Sequence, residues 1–122
     1  MPRQVLDDAQ IHPAIRETVA NLNADIVHNV QAAAQSNPVL VVGMGQNPLC
    51  RKARKTLDAE GVAYHYLEYG NYFSQWRRRT ALKMWTGWPT FPMVFVKGRL
   101  VGGADDLRRL ADSGELKRML LG

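Results

Sequence analysis

The chain carries a single thiol, Cys50, within Asn47-Pro48-Leu49-Cys50-Arg51-Lys52. Asparagine is a strong helix N-cap, and proline loses nothing at a first helical position, so Asn47-Pro48 predicts a helix start. A thiol in that first turn, beside Arg51 and Lys52, is expected to be acidified and able to attack a disulfide. The opposing reading makes Cys50 a small, partly buried hydrophobe, which a lone cysteine often is. One cysteine excludes an internal disulfide and predicts a reducing compartment, the cytoplasm. His12, His28 and His65 are scattered without an i, i+4 pair, so no metal site is predicted. No glycine-rich phosphate loop with a lysine is present.

The elements that must position this segment follow from apolar patterning. Residues from about His12 to Gln35 read as helical, with Ile15, Val19 and Leu22 on one stripe and Ile26, Val27 and Val30 on another. Asn23-Ala24 is a natural break between two helices, and Ser36-Asn37-Pro38 ends the region. Val39-Leu40-Val41-Val42 predicts a buried strand directly before the Asn47 helix, which turns Ala53 and Leu57 inward and ends at Gly61. Residues Ala63 to Tyr69 alternate as a strand, and a helix is expected from about Ser74 to Trp85. Trp88-Pro89-Thr90-Phe91-Pro92 leads into the strand Met93 to Val96, and Lys97-Gly98 predicts a hairpin turn into Arg99-Leu100-Val101. Gly102-Gly103 ends that strand. Asp105-Asp106 suits the positive end of a helix dipole, and a last helix is expected from about Gly114 to Leu121. This order satisfies a right-handed β-α-β unit followed by an antiparallel hairpin. It predicts an α/β fold of the thioredoxin type: a four-stranded mixed sheet flanked by helices, with an extra N-terminal helical segment. The expected division is 1–23 for the extension and 24–122 for the domain.

A length of 122 residues suits one domain that buries a core without disulfide or metal support. No run of about 18 apolar residues predicts a membrane span. The stretch Met1 to Asp8 resembles neither a secretory signal nor a transit peptide. The net charge of +5 gathers in Arg51, Lys52, Arg54, Lys55 and in Arg77, Arg78, Arg79. Solvated helix faces explain most of it, and an anionic peptide or small ligand is the functional alternative. Nucleic acid is not expected, since no recognition motif accompanies the charge. Trp76, Trp85 and Trp88 read as core or rim aromatics.

Three blocks, in order, resemble the glutaredoxin family. Asn47-Pro48-Leu49-Cys50 is similar to its active-site segment, which reads C-P-Y-C in dithiol members and C-G-F-S in monothiol members. Trp88-Pro89-Thr90-Phe91-Pro92 is similar to the W-P-T-x-P stretch of monothiol members. Gly102-Gly103-Ala104-Asp105-Asp106 is similar to the G-G-C-D-D segment, and Arg79-Thr80-Ala81-Leu82-Lys83 to R-x-x-L-K. The resemblance, over roughly residues 24 to 121, implies a cis Pro92 that presents the Phe91 backbone to an extended peptide, which in this family is glutathione. It implies that the free N–H groups at the start of the helix carrying Asp105 receive a carboxylate, that Asp105 meets the ligand's ammonium, and that Arg79 pairs with the ligand's glycine carboxylate. The implied glutathione-binding set is Asn47, Arg79, Phe91, Pro92, Gly103, Ala104 and Asp105.

The departures are specific. Asn47 stands where the family has its nucleophilic cysteine, and an amide neither attacks a disulfide nor ligates iron. Ala104 replaces the cysteine of the third block, and Gly43-Met44-Gly45-Gln46 lacks the lysine that precedes the family motif. The expectation is a glutathione-binding protein, partnered by glutathione or a glutathionylated protein. Cys50 is its candidate catalytic residue in one-thiol oxidoreductase chemistry, with glutathione as co-substrate supplying the second thiol. The alternatives are a non-catalytic adaptor and, disfavoured by the missing cysteine, an iron–sulfur cluster carrier. Oligomeric state is left open.

Overall fold

In the computed structural model, residues 4, 6–21, 23–71 and 73–121 are described. Asn23 adopts a left-handed conformation with φ 50°, which asparagine tolerates better than most residues. There the chain breaks between α1 (Pro13–Asn21) and α2 (Ala24–Ser36), as its sequence predicts. α2 buries Ile26, Val30 and Ala34. α1 leaves Ile15 and Val19 about half exposed, so its expected apolar stripe does not dock as a core face. Leu22 of that stripe, and Met1 to Arg3 and Val5 of the N-terminal reading, lie outside the described residues.

The remaining order is β1 (Val39–Gly43), α3 (Pro48–Ala59), β2 (His65–Glu68), α4 (Trp76–Thr86), β3 (Met93–Val96), β4 (Arg99–Gly102), α5 (Ala104–Asp112) and α6 (Glu115–Leu121). The sheet runs β2-β1-β3-β4, with β1 parallel to β2 and antiparallel to β3, and β3 antiparallel to β4. This is the thioredoxin arrangement with helices on both faces. β1 and β3 are buried along their whole length because they are central, so they read as continuous apolar runs. Alternation then sorts their side chains. Leu40, Val42, Met93 and Phe95 pack with Ile26, Val30 and Leu82 of α2 and α4. Val39, Val41, Val94 and Val96 pack with Ala53, Leu57, Ala104, Leu107 and Leu116 of α3, α5 and α6.

Two boundaries move from their sequence expectations. Gln75 takes a left-handed conformation, so α4 begins at Trp76 rather than Ser74. β2 is shorter than its alternating segment because only four residues pair with β1. The Lys97-Gly98 turn closes the β3–β4 hairpin with φ of 53° and 80°, the paired positive angles of a tight turn whose twist matches the strands.

Candidate functional site

The Asn47 segment sits at the C-terminal end of β1, where α3 begins. Asn47 is extended, and its side-chain oxygen accepts the backbone N–H groups of Leu49 at 2.9 Å and Cys50 at 3.3 Å. Two of the helix's otherwise unpartnered donors are thereby satisfied, and Pro48 follows at the first helical position. The helix start survives without a cysteine because the amide provides what the turn requires.

Cys50 is 1 % exposed. It packs beneath β1 so closely that a Cβ on Gly43 would sit 2.9 Å from its sulfur and 2.8 Å from the Tyr66 hydroxyl. Burial pushes the thiol above its ordinary range; a Met44 backbone hydrogen bond and the Arg54 guanidinium oppose this, and Glu68 adds to it. This environment matches the reading of Cys50 as a small buried residue better than that of a thiol acidified beside Arg51 and Lys52. The cation that acts on the sulfur is Arg54, one turn along α3, and desolvation outweighs it. Arg51 is exposed, and Lys52 is engaged elsewhere. As a candidate catalytic residue, Cys50 lies under the surface with its proton held.

Tyr66 donates to Glu68 Oε1 at 3.0 Å, and the Arg54 guanidinium stacks 4.4 Å from the Tyr66 ring centre. Burial, then the bond to Glu68, then the neighbouring sulfur all raise the phenol, so it stays protonated. Sequence reasoning missed this group. The signal was there in part: Tyr66 and Glu68 are two apart on a strand and share a face, and Arg54 is four residues past Cys50.

The second and third blocks meet as expected. Phe91-Pro92 is a cis peptide bond. A groove of about 170 Å³ runs along it, walled by Trp88, Thr90, Phe91 and Pro92 on one side. Gly103, Ala104, Asp105 and Asp106 of the β4–α5 junction form the other side, with Leu49 at one edge. The Phe91 side chain is buried, which leaves its backbone as the part able to meet a ligand. The Gly103 N–H donates to Asp106 at 3.0 Å, fixing the start of α5 and holding the Asp106 carboxyl below its usual range. Gly102 must be glycine: its φ is 118°, and a Cβ would meet the Asp106 carboxylate. Lys52 Nζ donates to Asp105 Oδ1 at 2.9 Å, and this contact lowers the Asp105 carboxyl. The indole Nε1 of Trp88 is buried near Gly103 without an acceptor among the described residues.

Arg79 is not in this groove. It is 7 % exposed, and its guanidinium donates to the carbonyls of Tyr69 and Ser74. It staples the loop before α4 to the helix, because those carbonyls have no strand partner and a buried guanidinium satisfies them. The expected pairing of Arg79 with a ligand carboxylate would require the guanidinium to leave these carbonyls. Phe91, Pro92, Gly103, Ala104 and Asp105 line this groove together, whereas Asn47 lines a separate pocket that it shares with Arg51 and Glu68. A larger, apolar opening of about 390 Å³ between α1, α2 and α4 contains none of the expected site residues. Among the described residues, no three His, Cys, Asp or Glu side chains converge as metal ligands.

A family model described as glutaredoxin matches residues 39–101, just over half the chain. The chain belongs to the glutaredoxin family. It is 44% identical over 102 residues to a "Glutaredoxin-like protein" of Dictyostelium discoideum, covering 84% of this chain and 83% of that one. It is 32% identical over 96 residues to "Monothiol glutaredoxin-5, mitochondrial" of Schizosaccharomyces pombe, covering 75% and 66%. Among solved structures it is similar to a buckwheat glutaredoxin–glutathione complex, with a TM-score of 0.72 and 27% identity, covering 83% of this chain and 92% of that one. No helix among the described residues is long and apolar enough to cross a membrane.

Proposed function

We propose that this glutaredoxin binds glutathione, or the glutathionyl group of a modified protein, without turning it over through its own thiol. The observation that carries the reading is the contrast within one site. The groove between Phe91-Pro92 and Gly103–Asp106 is open, while Asn47 at the start of α3 is an amide engaged in capping the helix and the one thiol is 1 % exposed. Attack on a mixed disulfide needs a thiolate within reach of sulfur; a buried, protonated Cys50 offers neither. The buckwheat relative named above is a glutathione complex, and the shared fold supports the same ligand here. An iron–sulfur cluster does not fit this donor set, because Asn47 presents a capped amide at the position the family uses for iron.

The binding unit is taken as residues 24–122, with 1–23 as an appended helical segment. A cytoplasmic setting fits the single reduced cysteine; one relative is named mitochondrial, so fractionation of cells expressing a tagged chain decides the compartment. The test of function is calorimetric titration with reduced glutathione alongside a glutathione-dependent disulfide reduction assay. Saturable binding with no turnover is expected. Turnover abolished by Cys50→Ala would replace this reading with a one-thiol oxidoreductase.

A further inference from the structure

The groove's acidic end is already occupied by a cation of the chain itself. α3 and α5 lie on the same face of the sheet and share a core through Ala53, Leu57, Ala104 and Leu107. Lys52 and Asp105 are each the neighbour of a core alanine, so the packing that buries Ala53 and Ala104 brings them together at 2.9 Å. A ligand ammonium arriving at Asp105 therefore meets a carboxylate that holds an ammonium. The second oxygen could accept another donor, but that would set two like charges about 5 Å apart, which is unfavourable. Lys52 also borders a pocket with Arg51 and Lys55, so the rim on this side is positive. Behind the opposite wall, the buried Trp88 Nε1 has no acceptor among the described residues. This end of the groove thus carries the Lys52 ammonium against an Asp105 carboxylate that is 68 % exposed but already paired.

Resting on the glutathione-groove reading above, we infer that the site takes γ-glutamyl-type peptides whose amino group is blocked about as well as glutathione itself, and that Lys52 sets this specificity. A groove with an uncovered aspartate would lose affinity when the ligand's ammonium is removed, because its carboxylate would be left unpaired. Here Lys52 keeps Asp105 paired with either ligand. Lys52 is 41 % exposed, so its substitution leaves the core untouched.

The experiment is calorimetry on the full chain with glutathione and N-acetylglutathione, for the wild type, Lys52→Met and Lys52→Arg. In the wild type the two dissociation constants are expected within about threefold, the range an exposed ion pair can set. Lys52→Met should shift the ratio toward glutathione by about threefold or more, and Lys52→Arg should keep the wild-type ratio. A wild-type preference for glutathione above about tenfold, or an unchanged ratio in Lys52→Met, overturns the inference while leaving glutathione binding intact. Binding of neither peptide by any of the three proteins overturns the groove reading and this inference with it.

Discussion

At the β3–α5 edge, the cis Phe91-Pro92 bond, the Gly102-Gly103 bend and the Asp106 cap on Gly103 are all in place and leave an open groove. At the start of α3, whose Leu49 borders that groove, the same fold holds an amide cap and a buried thiol. Both regions are equally well built. They differ in what their side chains present: one offers backbone and charge to a ligand, the other spends its polar atoms on the helix. A binding surface and a reactive group can therefore part company within one site, because the backbone geometry that shapes the first does not depend on the sulfur of the second.

The largest effect should come from undoing that difference. Asn47→Cys puts a thiol at the exposed helix start, and glutathione-dependent disulfide reduction should rise from background to a readily measured rate. A variant that binds glutathione but stays inactive would show that more than the nucleophile separates the two regions. Gly103→Leu attacks the other side. The residue is in extended backbone and a Cβ meets only ordinary contacts, so the fold should persist while the side chain fills the groove. Glutathione affinity should fall at least about tenfold, or ~1.4 kcal/mol, by calorimetry.

Asn47→Ala should cost ~0.5–2 kcal/mol in denaturant unfolding, because two N–H groups lose their acceptor. Groove binding should change little, which would locate Asn47's role in the helix. Cys50→Ala should cost about 1 kcal/mol as a small core truncation and leave binding unaltered.

The smallest effect is on pH dependence. Burial raises Cys50 and Tyr66 in the fold above their ordinary values of 9.0 and 10.0. Their contribution is then complete below those values and is lost as pH rises toward the folded ones. Asp105 and Asp106 are lowered, so theirs is present above the ordinary 3.8 and is lost as pH falls below it. Thermal unfolding should be flat near neutrality and fall at both ends, and Cys50→Ala should soften only the alkaline side.

The fold was legible because its signals are local and mutually consistent. Continuous apolar runs marked β1 and β3, Asn47-Pro48 marked a helix start, and Lys97-Gly98 marked a hairpin; each needs only its neighbours to be read. The groove was legible only through the family resemblance, since Phe91 and Gly103 meet through tertiary packing. The sequence left Cys50 between a reactive thiol and a buried hydrophobe, and gave Arg79 no sign of its backbone partners, for one physical reason. Position in a helix tells which charges are near in sequence, but burial decides which of them act, and burial of Arg79 against the Tyr69 and Ser74 carbonyls has no sequence signature. The Lys52–Asp105 pair spans 53 residues and was likewise invisible.

The central claim is most directly tested by following backbone amide resonances of the wild type during titration with reduced glutathione, then adding oxidised glutathione. The account predicts saturable shifts at Phe91 and at Gly103 to Asp106, with Cys50 remaining an unmodified thiol throughout. Shifts confined to the surroundings of Cys50, or formation of a mixed disulfide there, would contradict it.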